Sequence, residues 1–440
     1  MFTLLLLMTV LTLLSLILYL RRNYGKLEKI GIPVVKPTLC FGSGPFMLHK
    51  TIFVENDMEN FRKFGPIWGN YFMSEPWLNI TDPKIIKQIT VKNFDNFPSR
   101  SAGVGDQEKK FRTLESANGE DWRDLRKGLS PTFTSGKIKG MLGLLGGAID
   151  NMIEHLEEVT ETTSLVEVKN VFQGMALDVI AKCAFGIESN SFKNPDNQIF
   201  VHGKKIFADF IIKDLTLTIV TNLFMAMTWI GFPLPSSYNV LWKASKAIQS
   251  EREKSGSGPG DFMDRLIELK KRAGNGEFPS LSTDQITGQG IIFIAAGFET
   301  TSNTLSTLCY NLVKNPEVLE ILVEEVDDIL EKYDGRVDHE TIADMPYLDA
   351  CIKEDLRMFP PFARNDRVCV KDWENEGLKI CKGINIAIPI YAIHHNPEYW
   401  PEPELFKPER FFKENASSLV PYAWLPFGSG PRVCIGKLVC

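Results

Sequence analysis

The chain has 440 residues, 44% of them hydrophobic, enough to bury a large core. A net charge of −6 and a pI near 5.7 argue against wholesale nucleic-acid binding, which needs a basic face. Its eight cysteines are scattered with no C-x-x-C spacing, and no H-x-x-x-H occurs. A disulfide framework and a zinc site are therefore not expected.

Residues 2–20, "FTLLLLMTVLTLLSLILYL", carry no charge. As a helix they reach about 29 Å, close to a ~30 Å hydrocarbon layer. Arg21 and Arg22 follow at once. A cleaved signal peptide would reverse that order, with basic residues first and small residues last. Residues 1–22 are therefore expected to be a retained membrane anchor, with the remainder cytosolic. The sequons at Asn79 and Asn415 are then accidents of composition. Residues 23–45, rich in Gly and Pro, read as a hinge.

"IWGNYF" and "WLNIT" look like short strands, and helical periodicity dominates from about 120 to 360. "SGSGPG", 255–260, reads as a loop between helices, and "EEVDDIL", 324–330, as carboxylates on a solvated helix face. Between Ser282, capped with Gln285, and Pro316 the pattern predicts one helix of about 32 residues. Its apolar middle carries "GFETT". A buried Glu299 is costly unless paired or used, and Gly297 weakens a helix by about 1 kcal/mol. Two readings stand. Either a ligand or ordered water lies beside that turn, or Glu299 faces solvent and Gly297 is a packing contact. Glu354 and Arg357 share a helix face, which alone implies only a salt bridge. His394-His395 reads as a packing or hydrogen-bonding site. Near the end, "FGSGPRVCIG" sets Cys434 in a loop of glycine, proline and arginine. Cationic groups and backbone N–H donors stabilise a thiolate, and a metal does the same.

In this order and spacing the segments resemble the cytochrome P-450 monooxygenases over about residues 30–440. Within that family they resemble microsomal enzymes related to family 3 and to nematode and insect relatives. "FGSGPRVCIG" matches the haem-cysteine loop at Phe427, Gly430, Arg432, Cys434 and Gly436. "AGFETT" matches the oxygen-activating helix, Glu354-x-x-Arg357 the E-x-x-R pair and "FKPERF" the segment giving Arg410. "WRDLR" matches the helix that holds haem propionates, through Trp122 and Arg126.

The resemblance implies a single mainly α domain with small β-sheets, residues 46–440, preceded by one transmembrane helix. It implies haem b with Cys434 as axial ligand to iron, and O2 as co-substrate. Electrons would come from NADPH through a separate flavoprotein reductase. Glu299 and Thr300 would relay protons, Gly297 would leave room for oxygen, and Arg367 would be another propionate partner. Glu354, Arg357 and Arg410 would be structural. The reductase would dock on a basic face with Arg123, Lys127, Lys137 and Lys139 as candidates. The substrate would be a small apolar molecule held by 101–118, 205–242 and 361–364, with Phe207, Phe210, Phe293 and Phe362 as lining candidates. The expected location is the endoplasmic reticulum membrane. The family pattern continues past the cysteine loop, so the domain is expected to be C-terminally incomplete. The alternative is a non-catalytic, membrane-anchored remnant that binds haem weakly or not at all.

Overall fold

The computed structural model describes the chain except residues 1, 39–41, 44–51, 73, 102–112, 164, 209–235, 257, 259, 276–281 and 438–440. Helix α1, Phe2–Leu20, is the expected apolar segment. None of Thr3–Leu20 is buried by the rest of the chain, so its apolar surface suits a bilayer rather than a protein core.

Helix α2, Ile52–Phe64, leads into strands β1, Ile67–Phe72, and β2, Glu75–Ile80. Strands β3, Asn365–Val368, β4, Trp373–Asn375, β5, Leu378–Ile380, and β6, Asn385–Ile388, come late in the chain. One sheet has the order β1-β2-β6-β3, and β4-β5 is a hairpin. β1 and β2 are antiparallel with Ile67 opposite Ile80. β6 lies parallel to β2 and antiparallel to β3, with Arg367 opposite Ile386.

Within the segment 23–45, expected as a hinge, described residues are tied to the sheet. Leu27 is fully buried, and its N–H donates to the Tyr71 hydroxyl at 3.1 Å. That hydroxyl donates to Glu28 at 2.6 Å. Gly69 donates to the Pro33 carbonyl at 2.8 Å, and Val35 donates to Gly69 at 2.9 Å. Gly and Pro suit a flexible linker, but equally an extended segment that covers a sheet edge. Asn79 is buried in β2, where its amide donates to Asn70 at 2.6 Å, so this sequon offers no acceptor in the folded chain.

The helices continue as α3, Pro83–Lys87, α4, Gly119–Leu129, α5, Ser135–Thr162, α6, Val168–Phe185, and α7, Gln198–Ala208. They are followed by α8, Ser236–Ser255, α9, Phe262–Gly274, and α10, Thr283–Lys314. The last four are α11, Pro316–Lys332, α12, His339–Ala343, α13, Pro346–Met358, and α14, Ile390–His394. α10 has the predicted length and the predicted capping box: Ser282 accepts from Gln285 N–H, and Gln285 accepts from Ser282 N–H.

Two cores flank the functional region. One is built on the sheet, around Tyr71, Phe97, Ile386 and Trp400. The other is built on α10, around Phe185, Leu266, Ile294 and Phe298. Ile435, next to Cys434, packs against the second, which closes the cysteine loop onto the α10 core. In "EEVDDIL" the residues are not all idle: Glu325 accepts from the N–H groups of Tyr347 and Leu348, capping the start of α13.

Candidate functional site

The cysteine loop is pinned by its backbone. Cys434 N–H donates to the Phe427 carbonyl at 2.9 Å, and Ser429 Oγ donates to Thr90 Oγ1 at 2.8 Å. Gly430 has a φ of +73°, and a Cβ there would stand 1.8 Å from the Thr90 carbonyl oxygen. Only glycine permits that approach. The Phe427 ring meets Trp424 edge-on, and Trp424 donates to the Lys353 carbonyl at 3.2 Å. Gly436 lies beside the sulfur, where a Cβ would be 3.9 Å from Sγ.

Cys434 is exposed, while its neighbour Ile435 packs against the α10 core. Desolvation pushes its thiol up. The Gly436 N–H, Arg126, Arg100 and the Lys437 N–H pull it back toward thiolate. A cation bound to the sulfur would complete that shift. The four buried or half-buried thiols of Cys183, Cys309, Cys351 and Cys369 are pushed up by burial and have no such opposing set. Cys40 and Cys440 lie outside the described residues.

Arg432, expected to help the thiolate, points elsewhere. It donates to the carbonyls of Pro98 and Ala117, both at 2.6 Å, and lies 4.4 Å over the Trp122 ring. Its place is in an arginine cluster with Arg100 and Arg367. Burial, followed by repulsion from Arg100 and Arg367, draws Arg432 down to about 9. Burial, then Arg100, draws Arg367 down to about 10. Burial also lowers Arg126, while Cys434 opposes that shift.

Arg367 is wholly buried, and its Nη1 serves the Asp366 carbonyl at 2.6 Å. Its Nε and Nη2, and Nε of Arg100, are buried without an acceptor among the described residues. Orphaned guanidinium donors next to like charges call for an anion. The propionates of haem fit that demand, and the cysteine beside the cluster fits its iron. Arg100 carried no signal in the sequence, because a lone arginine in "PSRS" matches no motif.

On α10, Thr300 donates to the Ala296 carbonyl at 2.5 Å. Ala296 is exposed, although its neighbours Ile294, Ala295 and Phe298 are buried. Ala296 is the small residue that opens this turn, and the sequence reading missed it. A Cβ at Gly297 would meet Ile180 of α6 at 2.8 Å, which makes it the packing contact of the second reading. Glu299 is paired with α6. It accepts from Lys169 at 2.9 Å and Gln173 at 3.1 Å, both on α6. Phe293 packs between Phe133 and Phe262, inside the helix core. Phe362 is exposed, the Phe207 side chain is undescribed, and Phe210 lies outside the described residues.

Behind the site, Arg357 grips both oxygens of Glu354 at 2.8 and 2.9 Å, and both side chains are fully buried. Arg410 reaches Glu354 at 3.2 Å, and Lys407 N–H reaches it at 3.0 Å. Arg357 also donates to the carbonyls of His394 and Pro403. His394 is the expected hydrogen-bonding site: Nδ1 faces the Arg357 carbonyl at 3.0 Å, and Nε2 accepts from Leu425 N–H at 2.8 Å. The cluster thus fixes the segment two residues before Phe427. His395 stacks on Tyr391. Among the reductase candidates, Arg123 is shared between Asp95 and Glu120, and Lys127 and Lys139 are exposed. The Lys137 side chain is undescribed.

A loop cysteine beside buried arginines that lack acceptors, on a mainly helical frame, fits the haem-thiolate class. The cytochrome P450 family model matches residues 32–439. Cytochrome P450 3A28 of Bos taurus is 36% identical over 97% of this chain and 84% of its own length. Cytochrome P450 3A7 of Homo sapiens is 35% identical over 97% and 85%. Cytochrome P450 3A56 of Fundulus heteroclitus is 36% identical over 96% and 85%. The chain belongs to the cytochrome P450 family and is a monooxygenase of that family.

Proposed function

We propose that this protein inserts one atom of O2 into a small apolar organic substrate, such as a xenobiotic, a steroid or a fatty-acid-like molecule. Electrons reach it from NADPH through a separate flavoprotein reductase. Residues 1–22 anchor it in the endoplasmic reticulum membrane, and residues 46–440 form the cytosolic catalytic domain. The observation that carries this reading is the pinned Cys434 loop beside the Arg100, Arg367 and Arg432 cluster.

Cys434 would hold haem through its thiolate, and haem would supply the oxidising chemistry there. The chain's own groups do the rest. Gly436 and Lys437 N–H groups and Arg126 stabilise negative charge on the sulfur. Arg367, with Arg100, Arg126, Arg432 and Trp122, would hold the propionates. Ala296 leaves space on α10, and the Thr300 hydroxyl, held to the Ala296 carbonyl, delivers protons there. Glu299 braces α10 against α6 from the flank of that turn. The reductase docks on the α4 and α5 surface with Lys127 and Lys139.

The test supplies reductase, NADPH and isotopically labelled O2 with a panel of apolar and steroidal substrates. One labelled oxygen should enter the product, and Cys434→Ser should abolish this. Substrate-independent NADPH consumption with no labelled product from any substrate would count against the reading.

A further inference from the structure

We propose that Asn118 is a positioning residue for the haem propionate site. Its neutral amide ties Arg432 to the Arg100 backbone without adding a negative charge to the cluster. This rests on the haem-thiolate reading above.

Asn118 occupies the position just before α4, where an asparagine usually accepts a hydrogen bond from the first turn of the helix. Here the side chain makes no such bond. It is turned across the loop instead. Oδ1 accepts from Arg100 N–H at 2.9 Å and from Arg432 Nη2 at 3.1 Å, and Nδ2 donates to the Arg100 carbonyl at 3.1 Å. One amide therefore joins three segments: the chain at Arg100, the cysteine loop at Arg432, and α4 with Trp122 and Arg126.

The charge of that amide matters as much as its shape. Every acceptor that Arg432 finds is neutral: the carbonyls of Pro98, Ala117 and Glu115, and the Asn118 amide. Neutral acceptors satisfy donors but leave the positive charge of a buried guanidinium uncompensated. Arg100 is ion-paired with Glu115, but Arg432 and Arg367 have no carboxylate partner among the described residues, so their charge remains available to a bound anion. An aspartate at 118 would keep the acceptor and nearly the same volume. It would also neutralise part of the cluster and compete with the propionates.

The experiment uses the full chain and compares Asn118→Asp with wild type in two measurements. The first is haem transfer from the loaded protein to excess apomyoglobin. The second is the denaturation midpoint of the haem-free protein. The two should move in opposite directions. Haem should leave Asn118→Asp about tenfold faster or more, the scale of groups that support a metal site from outside. The haem-free midpoint should rise, because the new carboxylate compensates buried arginines. Asn118→Ala should also release haem faster, but with a lowered haem-free midpoint. If Asn118→Asp lowers both quantities, Asn118 only packs and the proposal is overturned. Unchanged haem release overturns it as well. If wild type itself takes up no haem, it is the haem-thiolate reading that fails, which separates the two claims.

Discussion

Asp355 follows Glu354 on α13 and is fully buried. Thr307 and Asn311 of α10 donate to its oxygens at 2.8 and 2.7 Å, and no cation pairs with it among the described residues. Burial pushes it from 3.8 up to about 7, the two hydrogen bonds oppose that, and Glu354 adds to it. A folded state that keeps its proton longer than the unfolded chain loses stability as pH rises, here between about 4 and 7. At about 1.4 kcal/mol per tenfold, the ionised aspartate costs on the order of 4 kcal/mol above pH 7.

His394 acts with the opposite sign. Burial lowers it from 6.5 to about 3, so folded stability falls as pH drops through that window. In wild type the two slopes largely cancel between about pH 4 and 6.5. Asp355→Asn keeps the shape and stays neutral. It should stabilise the protein by up to about 4 kcal/mol near pH 8 and change little near pH 4. It should also expose the acid sensitivity of His394. Urea denaturation of both proteins at about pH 4, 6 and 8 reads this directly. An unchanged or lowered stability of Asp355→Asn near pH 8 would show that the buried aspartate carries no ionisation penalty.

Gly430→Ala should destabilise by at least about 3 kcal/mol, combining left-handed backbone strain with a clash against the Thr90 carbonyl. Thermal unfolding checks this, and a near-wild-type midpoint would mean the loop shifts freely. Glu354→Ala leaves Arg357 and Arg410 without their carboxylate and should cost about 3–5 kcal/mol by denaturant unfolding. Thr300→Ala should keep haem and substrate binding. It should divert electrons to peroxide or water, with product formation down about 10²–10⁴-fold relative to electrons used. Unchanged coupling removes Thr300 from proton delivery. Asn415, exposed and bonded to the Glu409 carbonyl, should carry no glycan, and an endoglycosidase-sensitive mobility shift would contradict the cytosolic orientation.

Local patterns made much of the fold legible. β1 coincides with "IWGNYF", and α10 begins and ends where its cap and proline place it. The Glu354–Arg357 pair was readable from its one-turn spacing, whereas its structural role and Arg410 came from the family resemblance. What stayed hidden depends on distant partners. Arg432 meets Ala117 across 315 residues, so its proximity to Cys434 in sequence pointed to the wrong target. Glu299 and Gly297 left two readings open, because both are costly in an apolar helix; their partners Lys169 and Ile180 lie on α6, which nothing in the α10 sequence names. Residues 23–45 were read as a hinge because Gly and Pro mark flexible and strand-covering segments alike. Asn118 gave no signal, because an asparagine before a helix ordinarily caps it.

The central claim is that Cys434 is the iron ligand of a haem-thiolate enzyme. The reduced carbon-monoxide difference spectrum of the purified chain tests it most directly, recorded beside Cys434→Ser and the buried-thiol control Cys351→Ser. The thiolate band should appear in wild type and in Cys351→Ser and vanish in Cys434→Ser. A thiolate band that survives Cys434→Ser, or that wild-type protein with bound haem never shows, would contradict the account.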